Sequence, residues 1–141
     1  MRRIKGLIVH HSAGPDTWTY EDIDRVHWAR GFEGCGYHFI VEASGRIRMG
    51  RRLDLMGAHA SRHNEGTIGV CFIGSFEDGG TVPAEQWAAG VSLVRDLCRQ
   101  FEIGAADVLG HKETKATACP GFEPEAFRAA LRALIGPDET S

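Results

Sequence analysis

No stretch of this chain approaches the roughly 20 consecutive apolar residues of a membrane-spanning helix, so no such span is expected. A surplus of positive charge is missing too. The 16 Lys and Arg face 19 Asp and Glu for a formal net charge of -3, whereas a nucleic-acid binder would more often carry a basic face. There are no repeats, linkers or low-complexity tracts, which excludes a solenoid or a tether. The four cysteines (Cys35, Cys71, Cys98 and Cys119) are scattered rather than spaced as a dense disulfide framework. Reduced thiols are therefore expected, with Cys71 and Cys98 as small core residues and Cys35 as a loop thiol. The N-terminus enters a strand-like segment without the apolar region of a signal peptide. The expected product is thus cytoplasmic as synthesised, and it needs outside help to act beyond the membrane.

What is present suits an ordinary globular chain. Its 141 residues, 43% hydrophobic and 25% charged, predict a single domain over 1–141 with a core at about 4–135. Ile4 to His10, around Leu7-Ile8-Val9, reads as a buried strand of the kind a sheet covered on both faces requires. Thr19 with Asp22 approximates a capping box and opens a helix ending near Gly31, whose one face holds Ile23, Val26, His27 and Arg30. His27 reads there as a packing residue. Cys35 to Val41 predicts a strand, Ala43-Ser44-Gly45 a turn, and Arg46 to Met49 its antiparallel return. The polar, aperiodic stretch from Gly50 to Gly66 contains His59, His63 and Asn64, and so long a loop in a small domain is commonly functional.

Thr67 to Ile73 is another buried strand, followed by a loop at Glu77-Asp78-Gly79-Gly80. After Pro83, the steps Trp87, Val91, Val94, Cys98 and Phe101 give a helical stripe that Gly104 stops. Asp107-Val108-Leu109 is a short strand, and a helix over about Glu123 to Leu134 ends at Gly136-Pro137. The order β-α-β-β-β-α-β-α implies an α/β domain with a central mixed sheet flanked by helices in three layers.

Chemistry concentrates in Gly110 to Phe122, where His111 and Cys119 lie eight residues apart before the Pro120-Gly121 turn. Imidazole and thiolate are good zinc ligands. The partner sought elsewhere is His10, in Val9-His10-His11-Ser12 after the first apolar run. Two His and one Cys leave a tetrahedral ion one open position, as catalytic zinc requires. In open α/β sheets sites gather at the carboxyl ends of strands, where both histidines are expected. Spacing alone leaves the metal site open, since His10 is distant in sequence from His111.

Several motifs occur in order: Val9 to Ala13; Gly36-Tyr37-His38-Phe39; His59-Ala60 before Asn64; Ile68-Gly69-Val70; Gly110-His111-Lys112-Glu113; and Ala118-Cys119-Pro120-Gly121. Together they resemble the zinc-dependent N-acetylmuramoyl-L-alanine amidases of type 2, which include amidase-type phage lysozymes and the peptidoglycan recognition proteins. The resemblance runs from about Ile4 to Leu134 and is nearest the compact phage enzymes in size and layout. It implies the fold of the peptidoglycan recognition proteins and one zinc ion held by His10, His111 and Cys119, with His11 merely adjacent. It also implies a catalytic Tyr37 and hydrolysis of the bond joining N-acetylmuramic acid to the L-alanine of the stem peptide. Where some phage members carry a catalytic lysine, two residues before the cysteine, this chain has Thr117. Recognition-type amidases often have threonine there, so the resemblance implies a catalytic Thr117 that donates to the developing oxyanion, with Lys115 as the nearby cation to compensate for the missing lysine and as a substrate-binding candidate. His59 and Asn64 are expected along the substrate groove or behind the ligands. The implied partner is peptidoglycan or a muropeptide, with the chain a monomer serving as a phage or prophage endolysin.

Alternatives remain at this level. One is a cytoplasmic amidase recycling wall fragments; another is a peptidoglycan-binding module without catalysis, although relatives of that kind typically lack the cysteine. A third is a thiol hydrolase using Cys119 or Cys35. A regulatory role toward another protein, as in some phage lysozymes, has no feature for or against it. Glu113 reads as a base or a solvated carboxylate. Arg46, Arg48, Arg51 and Arg52 read as contacts for a carboxylated peptide or as solvated charges.

Overall fold

The structure is a computed structural model, and it describes residues 1–77 and 80–135. The stop at Gly136-Pro137 and the middle of the Glu77–Gly80 loop lie outside the described residues. Five strands, β1 (Gly6–His11), β2 (Phe39–Val41), β3 (Ile47–Met49), β4 (Thr67–Phe72) and β5 (Val108–Gly110), alternate with three helices, α1 (Tyr20–Ala29), α2 (Ala84–Phe101) and α3 (Pro124–Ile135). The sheet order is β3-β2-β4-β1-β5. Only the β2–β3 hairpin is antiparallel; β1–β4, β1–β5 and β2–β4 run parallel, so the sheet is mixed as expected. β1 lies between β4 and β5, and all six of its residues are buried, which is why its sequence is an unbroken apolar run up to the histidines.

Side chains on a strand alternate between the two faces, and each face has its own cover. Leu7, Val9, Phe39, Val41, Ile68, Val70 and Phe72 join Val91, Val94 and Leu97 of α2 and Phe127 and Leu131 of α3 in one apolar cluster. Phe72, Trp87, Phe122 and Phe127 pack there with ring centroids 5.2–5.9 Å apart. Each fully buried Phe or Leu contributes about 1.5–3 kcal/mol. On the other face Ile40, Cys71 and Ile73 meet Ile23 of α1. The three layers are therefore α1, the sheet, and the α2/α3 pair.

Local chemistry explains the element ends. Asp22 accepts the Thr19 N–H at 2.9 Å and completes the anticipated capping box. The strand expected from Cys35 begins only at Phe39. The reason is that Cys35 and Gly36 donate their N–H groups to Asp24 and His27 side chains at 2.7 and 2.8 Å, so α1 captures backbone that a ladder would have used. That bond also gives His27 the packing role expected of it. Gln86, fully buried in α2, donates 2.9 Å hydrogen bonds to the Val41 and Ile73 carbonyls, tying the helix to the sheet. All four cysteines are free thiols, and Cys35, Cys71 and Cys98 are buried.

Candidate metal centre

Three donor side chains converge where β1 and β5 end. His10 leaves β1 on the α1 side of the sheet. The next residue, His11, points the other way, and its Nδ1 accepts the Phe76 N–H at 3.3 Å. His111 follows β5 directly, opening the 3-10 turn His111–Glu113. Gly110 is required there by close packing: a Cβ would lie 2.4 Å from Pro124 Cγ and 3.1 Å from Pro120 Cδ. Glu113 folds back to accept the Gly110 N–H at 2.9 Å and pairs with Arg128 at 2.7 and 2.9 Å. That pairing holds its carboxyl below the usual range and makes it a brace for the turn. Lys112 N–H donates to the Cys119 carbonyl at 2.6 Å, and the Cys119–Pro120 peptide is cis. His11 N–H donates to Cys119 Sγ at 3.3 Å, favouring the thiolate.

One donor atom from each of His10, His111 and Cys119 lies within 4.8 Å of the others, a grouping that could hold a metal ion. His10 Nδ1 is 3.7 Å from Cys119 Sγ; a nitrogen and a sulfur bound to one tetrahedral zinc would be ~3.6 Å apart, from bonds of about 2.0–2.1 and 2.3 Å. His111 Nε2 is buried and has no hydrogen-bond partner among the described residues. An orphaned nitrogen on an imidazole whose ring centroid lies 4.5 Å from that of His10 fits a metal ion well. Burial, with His59, His111 and His11 nearby, pushes the His10 pKa well below its ordinary value. Burial also lowers that of His111, so both are neutral and have lone pairs to give. Burial raises the Cys119 and Cys35 thiols to about 11. A nucleophilic cysteine needs the opposite shift, which weighs against a thiol hydrolase; a metal ion would deprotonate the ligating thiol outright.

A groove of about 490 Å³ reaches this centre at His111, lined by Tyr37, His59, Asn64, His111 and Lys115 together with His27, Arg30 and Phe32. Tyr37 packs 5.1 Å from His10 between ring centroids. Burial, then the Cys71 and Cys119 thiols, push its hydroxyl well above the ordinary value, so it stays protonated. Asn64 Oδ1 accepts the His59 and Ala60 N–H groups at 2.9 and 2.8 Å, which fixes the loop. Thr117 Oγ1 accepts the Cys119 N–H at 3.4 Å. Three of the four arginines from Arg46 to Arg52 are engaged elsewhere: Arg48 with Glu21 and Glu42, Arg51 with the Cys35 and Met56 carbonyls, Arg52 with Asp54. Arg30 and Phe32 are groove residues that the sequence pattern does not reveal; the only signal is Arg30's place three residues after His27 on one helix face.

Comparison with known proteins agrees with this geometry. A family model described as N-acetylmuramoyl-L-alanine amidase matches residues 1–122. A peptidoglycan-recognition protein of Drosophila melanogaster is 32% identical over 127 residues, covering 84% of this chain and 69% of that protein. The endolysin of Escherichia phage T7 is 33% identical over 121 residues, covering 83% and 80%. Among solved structures, the N-acetylmuramoyl-L-alanine amidase LysC from Clostridium intestinale URNW superposes with a TM-score of 0.85 at 30% identity, over 93% of this chain and 87% of that one. The sheet order, the convergent donors and these matches place the chain in the N-acetylmuramoyl-L-alanine amidase family.

Proposed function

We propose that this chain is a zinc-dependent N-acetylmuramoyl-L-alanine amidase that cleaves the amide between N-acetylmuramic acid and L-alanine of peptidoglycan, acting as a phage or prophage endolysin. The observation that carries the reading is the meeting of His10, His111 and Cys119 beside the groove that His111 lines, with His111 Nε2 buried and unpartnered among the described residues. Zinc held by these three would polarise the amide carbonyl and lower the pKa of its water to about 7. Tyr37, kept protonated, donates a hydrogen bond toward the oxygen that gains charge as the amide is attacked. Lys115 and Arg30 bring positive charge to the groove, which suits the carboxylates of a stem peptide. The similarity to an endolysin supports the lytic role, and no helix among the described residues is long and apolar enough to cross a membrane.

The test is incubation of the purified protein with whole peptidoglycan, followed by assay of new alanine amino termini. Termini are expected to appear, to stop with chelator and to return with zinc. An unchanged rate in chelator removes the zinc mechanism, reducing sugar ends instead indicate a glycosidase, and binding without termini leaves a recognition module.

A further inference from the structure

We propose that His59 is a positioning residue for the metal centre: it accepts the Nε2 proton of His10 and thereby keeps His10 Nδ1 bare and aimed at the metal. The proposal rests on the zinc reading and deepens it, and it takes His59 away from direct substrate binding.

His10 Nε2 lies 2.9 Å from His59 Nδ1, both buried, with the rings perpendicular and their centroids 4.9 Å apart. The other nitrogen of His10 faces Cys119 Sγ. A neutral imidazole that gives its Nδ1 lone pair to a metal carries its proton on Nε2, so His59 Nδ1 must be the acceptor. His59 then holds its own proton on Nε2, 3.4 Å from Thr67 Oγ1. The Thr67 hydroxyl proton is already directed to the His63 carbonyl at 2.6 Å, so the Thr67 oxygen is available to accept. From Nδ1 of His10 to the His63 carbonyl, each group is assigned one role without conflict. The opposite tautomer would protonate His10 Nδ1, at the position where the ligand lone pair is needed, and would leave His59 Nε2 an acceptor facing a hydroxyl whose proton is spent.

The fold makes room for this ring at two glycines. A Cβ on Gly69 would lie 2.5–2.8 Å from three atoms of the His59 imidazole, and a Cβ on Gly57 would lie 2.6 Å from its Cδ2. Asn64 fixes the same residue from the backbone side. With 8% of its surface exposed, His59 has little left to offer a substrate. Outer partners of this kind typically account for about 10–100-fold in metal affinity.

The experiment strips wild type, His59→Asn and His59→Ala of metal, verifies their cooperative melting, and titrates each with zinc against a chromophoric chelator. Asparagine puts its Oδ1 where the imidazole Nδ1 stood and keeps the acceptor. His59→Ala is expected to bind zinc about 10–100-fold more weakly, while His59→Asn stays within about tenfold of wild type. The cobalt-substituted spectrum should change in the alanine variant and be retained in the asparagine variant. Equal zinc affinity in all three proteins, with muropeptide cleavage lowered in His59→Ala, overturns the proposal and returns His59 to the substrate. Should His59→Ala fail to melt cooperatively, His59→Asn decides alone: affinity within about tenfold supports the proposal and a larger loss overturns it. Wild type that takes up no zinc removes the zinc reading itself, a result distinct from zinc bound equally by all three.

Discussion

The two faces of the sheet are made from the same strands and bury different chemistry: one carries a large apolar cluster, while the other adds polar groups to its smaller apolar cluster. Toward α2 and α3, Leu7, Val9, Ile68, Val70 and Phe72 bury hydrocarbon against hydrocarbon. Toward α1 and the groove, the alternate positions His10, His38, Gly69 and Cys71 set imidazoles, a bare backbone and a thiol in the interior. The first face stabilises by area, about 25 cal/mol per Å², and demands only shape. On the second, buried nitrogens need partners; among the described residues Arg2 Nη1 and His111 Nε2 are left without one, and of these two only His111 belongs to the trio of donors suited to a metal ion. A two-residue period lets one strand serve stability and chemistry together, so substitutions one position apart should fail in different ways.

The sharpest break is Cys119→Ser. Zinc uptake should fall and amidase activity should drop by more than about 100-fold, beyond what loss of an outer partner causes, while the melting curve of the metal-free protein barely moves. Full activity would remove Cys119 from the centre. On the opposite face, Phe127→Ala should cost about 3–5 kcal/mol in urea unfolding and leave kcat of the folded enzyme unchanged; an activity loss at full folding would mean that the faces are coupled. Tyr37→Phe should lower kcat by about 10²–10³, or 2.7–4 kcal/mol of barrier, with zinc affinity retained.

A pH titration compares the faces without mutation. Burial lowers the His38 pKa to about 4 from an ordinary 6.5. The unfolded chain therefore takes up a proton first as pH falls. The contribution of neutral His38 is complete above about pH 6.5 and is lost as pH drops toward about 4, on the order of 3 kcal/mol for a shift of that size. Urea midpoints in chelator should fall by at least that much, because burial lowers His10, His27, His59 and His111 as well, and Phe127→Ala should show the same slope; a flat profile would mean that these imidazoles are solvated. The smallest effect is assigned to Thr117→Val. Among the described residues its hydroxyl makes a single 3.4 Å contact, with Cys119 N–H, so kcat should change by less than about tenfold, or ~1.4 kcal/mol. A larger loss would give Thr117 a direct part in the reaction.

Much of this is legible in the chain. The unbroken run Leu7-Ile8-Val9 marks a strand covered on both faces, and the Trp87 to Phe101 stripe marks one side of α2. The motif pieces around His10, Tyr37, His111 and Cys119 name the chemistry. Less legible are contacts between elements. Gln86 looks like an ordinary polar helix residue, yet it is fully buried and bonded to two strand ends. β2 starts later than its residue pattern implies because side chains of α1, eleven and nine residues earlier, take the N–H groups of Cys35 and Gly36. Glu113 gives no sign of Arg128, its partner fifteen residues on.

By itself, then, the sequence determined the residue types, the strand and helix periods, and the family, because these follow from local pattern and ordered motifs. Which nitrogen of His10 faces the cysteine, which imidazole stands behind it, and which of two adjacent histidines turns toward Cys119 and His59 emerge only from the tertiary contacts. The physical reason is that strand alternation and the Gly69 gap beneath His59 fix directions in space, and those directions exist only once β1, β4 and the Gly50–Gly66 loop are packed together.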